Sequence, residues 1–130
     1  MSVNIQDLIN YRLSRAGESI KEAEAMLANN FYNAAVNRIY YACYYAVNAI
    51  LLKNSITAKT HKGIRQMFAV HYIQTGLISK EMGRFFTTLY DNRQTGDYDD
   101  FILYDLETVE LMLPKAKAFI NTIVELLEEK

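Results

Sequence analysis

Residues 32–53 run Tyr32-Asn33-Ala34-Ala35-Val36-Asn37-Arg38-Ile39-Tyr40-Tyr41-Ala42-Cys43-Tyr44-Tyr45-Ala46-Val47-Asn48-Ala49-Ile50-Leu51-Leu52-Lys53, and their periodicity decides the fold. Ala35, Ile39, Ala42, Ala46 and Ala49 recur at spacings of three and four, which is one stripe of a helix. Most of these side chains are small, so another helix can approach closely. Asn33, Asn37, Tyr41, Tyr44 and Asn48 form a second stripe with polar tips. A helix that is apolar nearly all round must be covered on several sides. The spacing therefore predicts a central helix in a bundle.

The flanking segments supply helices to surround it. Leu8, Ile9, Leu13, Ala16, Ile20, Ala23 and Leu27 mark a helix over Ile5 to Ala28, with Gly17 as a weak point in its middle and Asn29-Asn30 as its end. Beyond the central helix, Asn54 to Lys59 reads as a loop. Thr60 caps a third helix from His61 to Tyr72, with Ile64, Met67, Phe68 and His71 on one side and Gly76 at its end. Ser79 caps a fourth, with Met82, Phe85, Phe86 and Leu89 inward. The pattern fails at Asp91-Asn92-Arg93-Gln94-Thr95-Gly96-Asp97, which is rich in turn formers and reads as a break. A last helix begins near Ile102, and its stripe is Leu106, Val109, Leu113, Ala116, Ile120, Ile123 and Leu127. Pro114 lacks the N–H that bonds four residues back, so a kink is expected there. No segment alternates with period two, and no sheet is assigned.

Composition agrees with a single all-α domain over residues 1–130. Just over half of the residues are apolar, which suffices for one core, and 5 Gly with 1 Pro leave few turns. The net charge of −1 gives no overall basic field to draw nucleic acid by counterion release, although 14 Lys and Arg allow a local patch. The lone Cys43 precludes an internal disulfide and suits a reducing compartment. Met1 to Asp7 carries no apolar signal segment. Ile39 to Leu52 is too short and too rich in Tyr and Asn to span a bilayer. A cytoplasmic protein without a membrane partner is expected.

Several chemistries lack their residues. There is no phosphate-cradling Gly-rich loop, no paired-Cys zinc motif and no His-Glu-x-x-His. His61 and His71 are ten apart, so one helix does not bring them together, and neither metal nor cofactor is expected. Cys43 sits in the small-residue seam as a buried hydrophobe, with nothing nearby to stabilise a thiolate. The tyrosines of residues 40–45 read first as core with hydrogen-bonded tips, and second as a stacking wall for a base. Arg38, on so apolar a helix, needs a partner or a path to water. A carboxylate from the Asp91 to Asp100 region is one answer and snorkelling is the other. Asn92-Arg93-Gln94-Thr95-Gly96-Asp97-Tyr98 is the best candidate site, because it gathers a guanidinium, amides, a carboxylate and a phenol in one short break. Its plainer reading is a capped turn in which Arg93 pairs with Asp97 or Asp99. The Asp97, Asp99 and Asp100 cluster does not meet Ca²⁺-loop spacing.

The run Ala35-Val36-Asn37-Arg38-Ile39-Tyr40-Tyr41-Ala42-Cys43-Tyr44-Tyr45-Ala46 resembles the signature helix of the HEPN family (higher eukaryotes and prokaryotes nucleotide-binding). Lys59-Thr60-His61-Lys62-Gly63 is similar to its K-T-H-x-G step, and Arg93 to Tyr98 to the R-x-x-x-D-Y step of one branch. The resemblance implies an up-and-down bundle of about five helices, a homodimer, and an association with nucleotides or RNA. It also implies a partner, a small nucleotidyltransferase, of the kind paired in toxin–antitoxin modules. Ribonuclease members carry Arg, four to six residues, then His, and cleave RNA with help from its 2′-hydroxyl. Here Asp97-Tyr98 follow Arg93 and no His lies in that window. An ionised Asp does not replace a His as general acid. Arg65 and His71 satisfy the spacing but are expected on different faces of one helix. The expectation is a module that binds a nucleotide or RNA phosphate through Arg93, with Asn92, Asp97, Tyr98, Arg38 and Tyr41 shaping the site. The alternatives are a metal-independent ribonuclease toxin using Arg93 with Asp97 or Tyr98, and a non-catalytic scaffold.

Overall fold

A computed structural model describes residues 4–98 and 104–128, with side chains of the fourth helix described as far as Asn92. The elements are α1 (Ile5–Ala28), α2 (Tyr32–Lys53), α3 (His61–Phe68), a π-helical turn (Ala69–Ile73), α4 (Lys80–Tyr98) and α5 (Leu106–Glu128). No strand occurs among the described residues.

Local chemistry sets most of the boundaries. The Asn4 side chain accepts from the Gln6 and Asp7 amides and so starts α1. At the other end, the Phe31 amide donates to the Met26 carbonyl over 2.8 Å and the Asn30 amide to Leu27 over 3.1 Å. Asn30 takes φ +65° to close this Schellman-type cap. The same pattern ends α2, where Ile56 and Ser55 donate to Leu51 and Leu52 and Ser55 sits at φ +58°. Thr60 accepts from the Gly63 amide to start α3, and Ser79 from the Met82 amide to start α4. The Asp105 carboxylate accepts from the Thr108 amide at 2.8 Å and starts α5.

The central helix is where the periodicity puts it. α2 packs against α1, α3, α4 and α5. Ala35, Ile39, Tyr40, Ala42, Cys43, Ala46, Val47 and Ala49 have no exposed surface. The chain from α4 onward closes over its far side, where Phe68, Phe86 and Phe119 pack within 5.5–5.6 Å of one another.

Four expectations change. The third helix does not stay α to Tyr72; it passes into the π turn after Phe68. The extra residue per turn carries the buried face to Tyr72 and leaves His71 exposed. The expected break at residues 91–97 is helical, and α4 runs to Tyr98. Asn, Thr, Gly and Asp weaken a helix by tenths of a kcal/mol up to about 1 each, which does not stop an established helix. The last helix begins at Leu106, capped by Asp105, and Ile102 lies outside the described residues. Its Leu106 is exposed, while Phe119, outside the expected stripe, is a core residue. Pro114 lies inside α5 without ending it.

Candidate functional site

The half-buried stripe of α2 is where the polar chemistry collects. Asn37, Arg38, Tyr41, Tyr44, Tyr45 and Asn48 are each partly exposed. Their neighbours in the sequence are buried, so the helix presents these six along one line.

The N-terminus of α3 lies against this line. Thr60, by capping α3, fixes the direction in which His61 enters. The Tyr40 hydroxyl then sits 2.8 Å from His61 Nδ1. Tyr40 itself is fully buried. The bond therefore anchors the imidazole to the core and specifies which ring nitrogen faces inward. The His61 ring stacks on Tyr44, with centroids 4.3 Å apart and planes 12° from parallel. It meets Tyr41 edge-on at 6.2 Å. An imidazole between two phenol rings and a buried hydroxyl has little rotational freedom.

Guanidinium groups flank the aromatic line. Arg38 lies over the Tyr41 ring at 5.1 Å and donates twice to Asn37 Oδ1, at 2.6 and 3.1 Å. Among the described residues the carboxylate facing it is Glu22 of α1, at 3.9 Å, and the expected carboxylates at 97, 99 and 100 lie outside the described side chains. At that distance the ion pair is loose, and a quarter of the Arg38 side chain stays exposed. Arg15 lies over Tyr45 at 5.4 Å and pairs with Glu18 at 2.6 Å. Arg65 lies over Tyr90 at 5.0 Å. Such planar cations retain donors at their edges while their faces are held by rings.

The structure thus joins two of the expected site residues, Arg38 and Tyr41, keeps Tyr44 on the same stripe, and adds His61, which the sequence did not place with them. Asn92 is half-buried on α4. The side chains of Arg93, Asp97 and Tyr98 lie outside those described. Their backbone belongs to α4, with Arg93 three residues beyond Tyr90, which itself packs on Tyr40 at 6.5 Å. Tyr104, just before α5, is tied to the first turn of α2, where its amide donates to Asn33 Oδ1 at 3.0 Å. Arg65 and His71 do not form a unit: Arg65 turns to Tyr90, and His71 is exposed on the π turn.

Cys43 is fully buried and desolvation pushes its thiol far above the ordinary range. No three His, Cys, Asp or Glu side chains come together among the described residues. No described helix is long and apolar enough to cross a membrane.

The arrangement offers stacking faces, guanidinium donors and one oriented imidazole, which suits a planar or phosphorylated ligand. Comparison with known proteins points to the same class of fold. The model described as HEPN domain matches residues 9–127. A "UPF0332 protein" of Thermotoga maritima is 35% identical over 124 residues, covering 95% of this chain and 94% of that one. Two proteins of Methanocaldococcus jannaschii, named "Putative toxin MJ0142" and "Putative toxin MJ0605", are 36% identical over 118 residues and 29% identical over 129. They cover 91% and 99% of this chain, and it covers 80% and 96% of them.

Proposed function

The chain belongs to the HEPN domain family, and on that premise we propose that it is a toxin-type module that binds a nucleotide or RNA phosphate. It acts as a homodimer, beside a small nucleotidyltransferase. The observation that carries the reading is the α2–α3 constellation, where Arg38, Tyr41, Tyr44 and His61 are held half-exposed on a rigid helix pair. Arg93 supplies the principal phosphate contact, and Asn92, Asp97 and Tyr98 border it. The names of the Methanocaldococcus relatives support the toxin class.

Titrating nucleotides and short RNAs against wild type, Arg93→Ala and Arg38→Ala tests this. The expected result is a loss of at least tenfold in affinity for Arg93→Ala, which is about 1.4 kcal/mol. Equal, weak binding by all three proteins sinks it.

One observation favours a second reading, a metal-independent ribonuclease toxin. The R-x-x-x-D-Y segment lacks a local His, yet the oriented imidazole of His61 and the ring of Tyr90, one turn before Arg93, both pack on Tyr40. In that reading His61 takes the proton of the RNA 2′-hydroxyl, and Arg93 holds the phosphate that it attacks. Growth arrest on expression that is lost in both His61→Ala and Arg93→Ala selects it. RNA left intact by purified wild type excludes it.

A further inference from the structure

Among the described residues, three arginines lie over tyrosine rings, and two of them have a carboxylate to face. Arg15 over Tyr45 pairs with Glu18, and Arg38 over Tyr41 faces Glu22. Arg65 over Tyr90 has no carboxylate within ion-pair distance among the described residues. It is half-buried on α3, and its Nε is enclosed without a hydrogen-bond partner. A guanidinium taken partly out of water gives up hydration that a counter-charge or an acceptor must return. The face of a ring returns part of it and leaves the N–H edge unmatched. The edge of Arg65 is therefore suited to an anion from outside the chain.

Arg65 follows His61 by four residues, so the two lie on one face of α3, one turn apart. His61 meets the Tyr40 hydroxyl through Nδ1 at 2.8 Å, and the Tyr40 ring packs on Tyr90 at 6.5 Å. These contacts close a circuit through three helices: His61 to Tyr40 of α2, Tyr40 to Tyr90 of α4, and Tyr90 back to Arg65. Tyr90 touches Arg65 directly and stands one turn of α4 before Arg93, the principal phosphate contact of the proposed function. We propose that Arg65 is a second phosphate-contacting residue of this site, holding the backbone of a single-stranded RNA together with Arg93. The role rests on the reading of the chain as a phosphate binder. A planar fork of donors matches the two free oxygens of a phosphodiester, and the Tyr90 ring holds the plane of that fork.

Fluorescence anisotropy of the full chain with a short labelled oligouridylate, over a salt series, tests it. Each phosphate contact adds roughly 0.7 to the slope of log K against log salt for a single strand. Arg65→Met keeps an apolar stem on Tyr90 and removes the charge. It should lower that slope by about 0.7 while the far-UV circular dichroism stays that of wild type. Arg65→Gln, neutral and polar, should lower the slope equally, and it replaces Arg65→Met if that variant folds poorly. Arg65→Lys keeps the charge without the fork, so it should bind more weakly than wild type with the slope retained. A wild-type slope in the neutral variants overturns the proposal and leaves Arg65 as packing on Tyr90. So does an Arg65→Lys slope as shallow as theirs. Wild type that binds no RNA removes this role together with the proposed function. Binding that Arg93→Ala weakens, with the slope kept in the Arg65 variants, removes this role alone.

Discussion

Tyr40 joins the interior to the surface. Its ring is fully buried and stacks near Phe86 at 6.2 Å, while its hydroxyl meets His61 at 2.8 Å. A buried hydroxyl without a partner costs about 1–3 kcal/mol, so the core holds the imidazole in place as part of satisfying itself. Cys43, three residues along the helix, is the opposite case. It has no exposed surface, and burial keeps its thiol protonated. Native protein at pH 8 is therefore expected to leave an aromatic disulfide reagent unreacted. One thiol per chain should appear on unfolding in guanidinium. Rapid labelling of the native state would show that the seam of α2 opens. Both residues were read as helical core from spacing alone. The hydrogen bond to His61, 21 residues away, has no signature in that spacing.

At the scale of elements, caps account for most of the agreement between sequence and structure. Asn4, Thr60 and Ser79 are polar residues set just before helical patterns, and all three accept the amide bonds that such positions leave over. The end of α2 is less well served, because Ser55 holds the left-handed conformation that Gly adopts without strain. That strain is about 1 kcal/mol. A Gly there relieves it but gains roughly 0.5 kcal/mol of unfolded-chain freedom. Ser55→Gly should thus stabilise the protein by about 0.5 kcal/mol, seen as a rise in Tm of roughly 2 °C. A fall in Tm would mean that the Ser55 side chain contributes more than its backbone costs. The elements misjudged from sequence failed for equally local reasons. A π turn changes the period after Phe68, and turn-forming residues in 91–97 were outweighed by continuation of α4.

Over the whole molecule, α2 is the post on which the other helices lean, and the aromatic cluster behind it fixes α4 and α5. Phe119 is 1% exposed and contacts Phe68, Phe85 and Phe86. Truncating it leaves a large cavity among rigid rings. Phe119→Ala should cost about 3–5 kcal/mol, against a total of about 5–15 for a domain of ordinary stability. Urea unfolding measures this, and a cost below about 1 kcal/mol would show that Phe119 is peripheral.

Helical class, the first two helix boundaries and the central place of α2 were determined by sequence alone. They follow from period, capping and the small-residue seam, which are local properties. So was the place of Arg38 and Tyr41 as a cation and a phenol on an otherwise apolar helix. Only tertiary structure decided that His61 lies on Tyr44 and that Glu22 is the carboxylate facing Arg38 among the described residues. These pairs come from different helices. Their meeting depends on how far each helix is rotated and where the loop from Asn54 to Lys59 delivers α3, and no spacing within one segment encodes that.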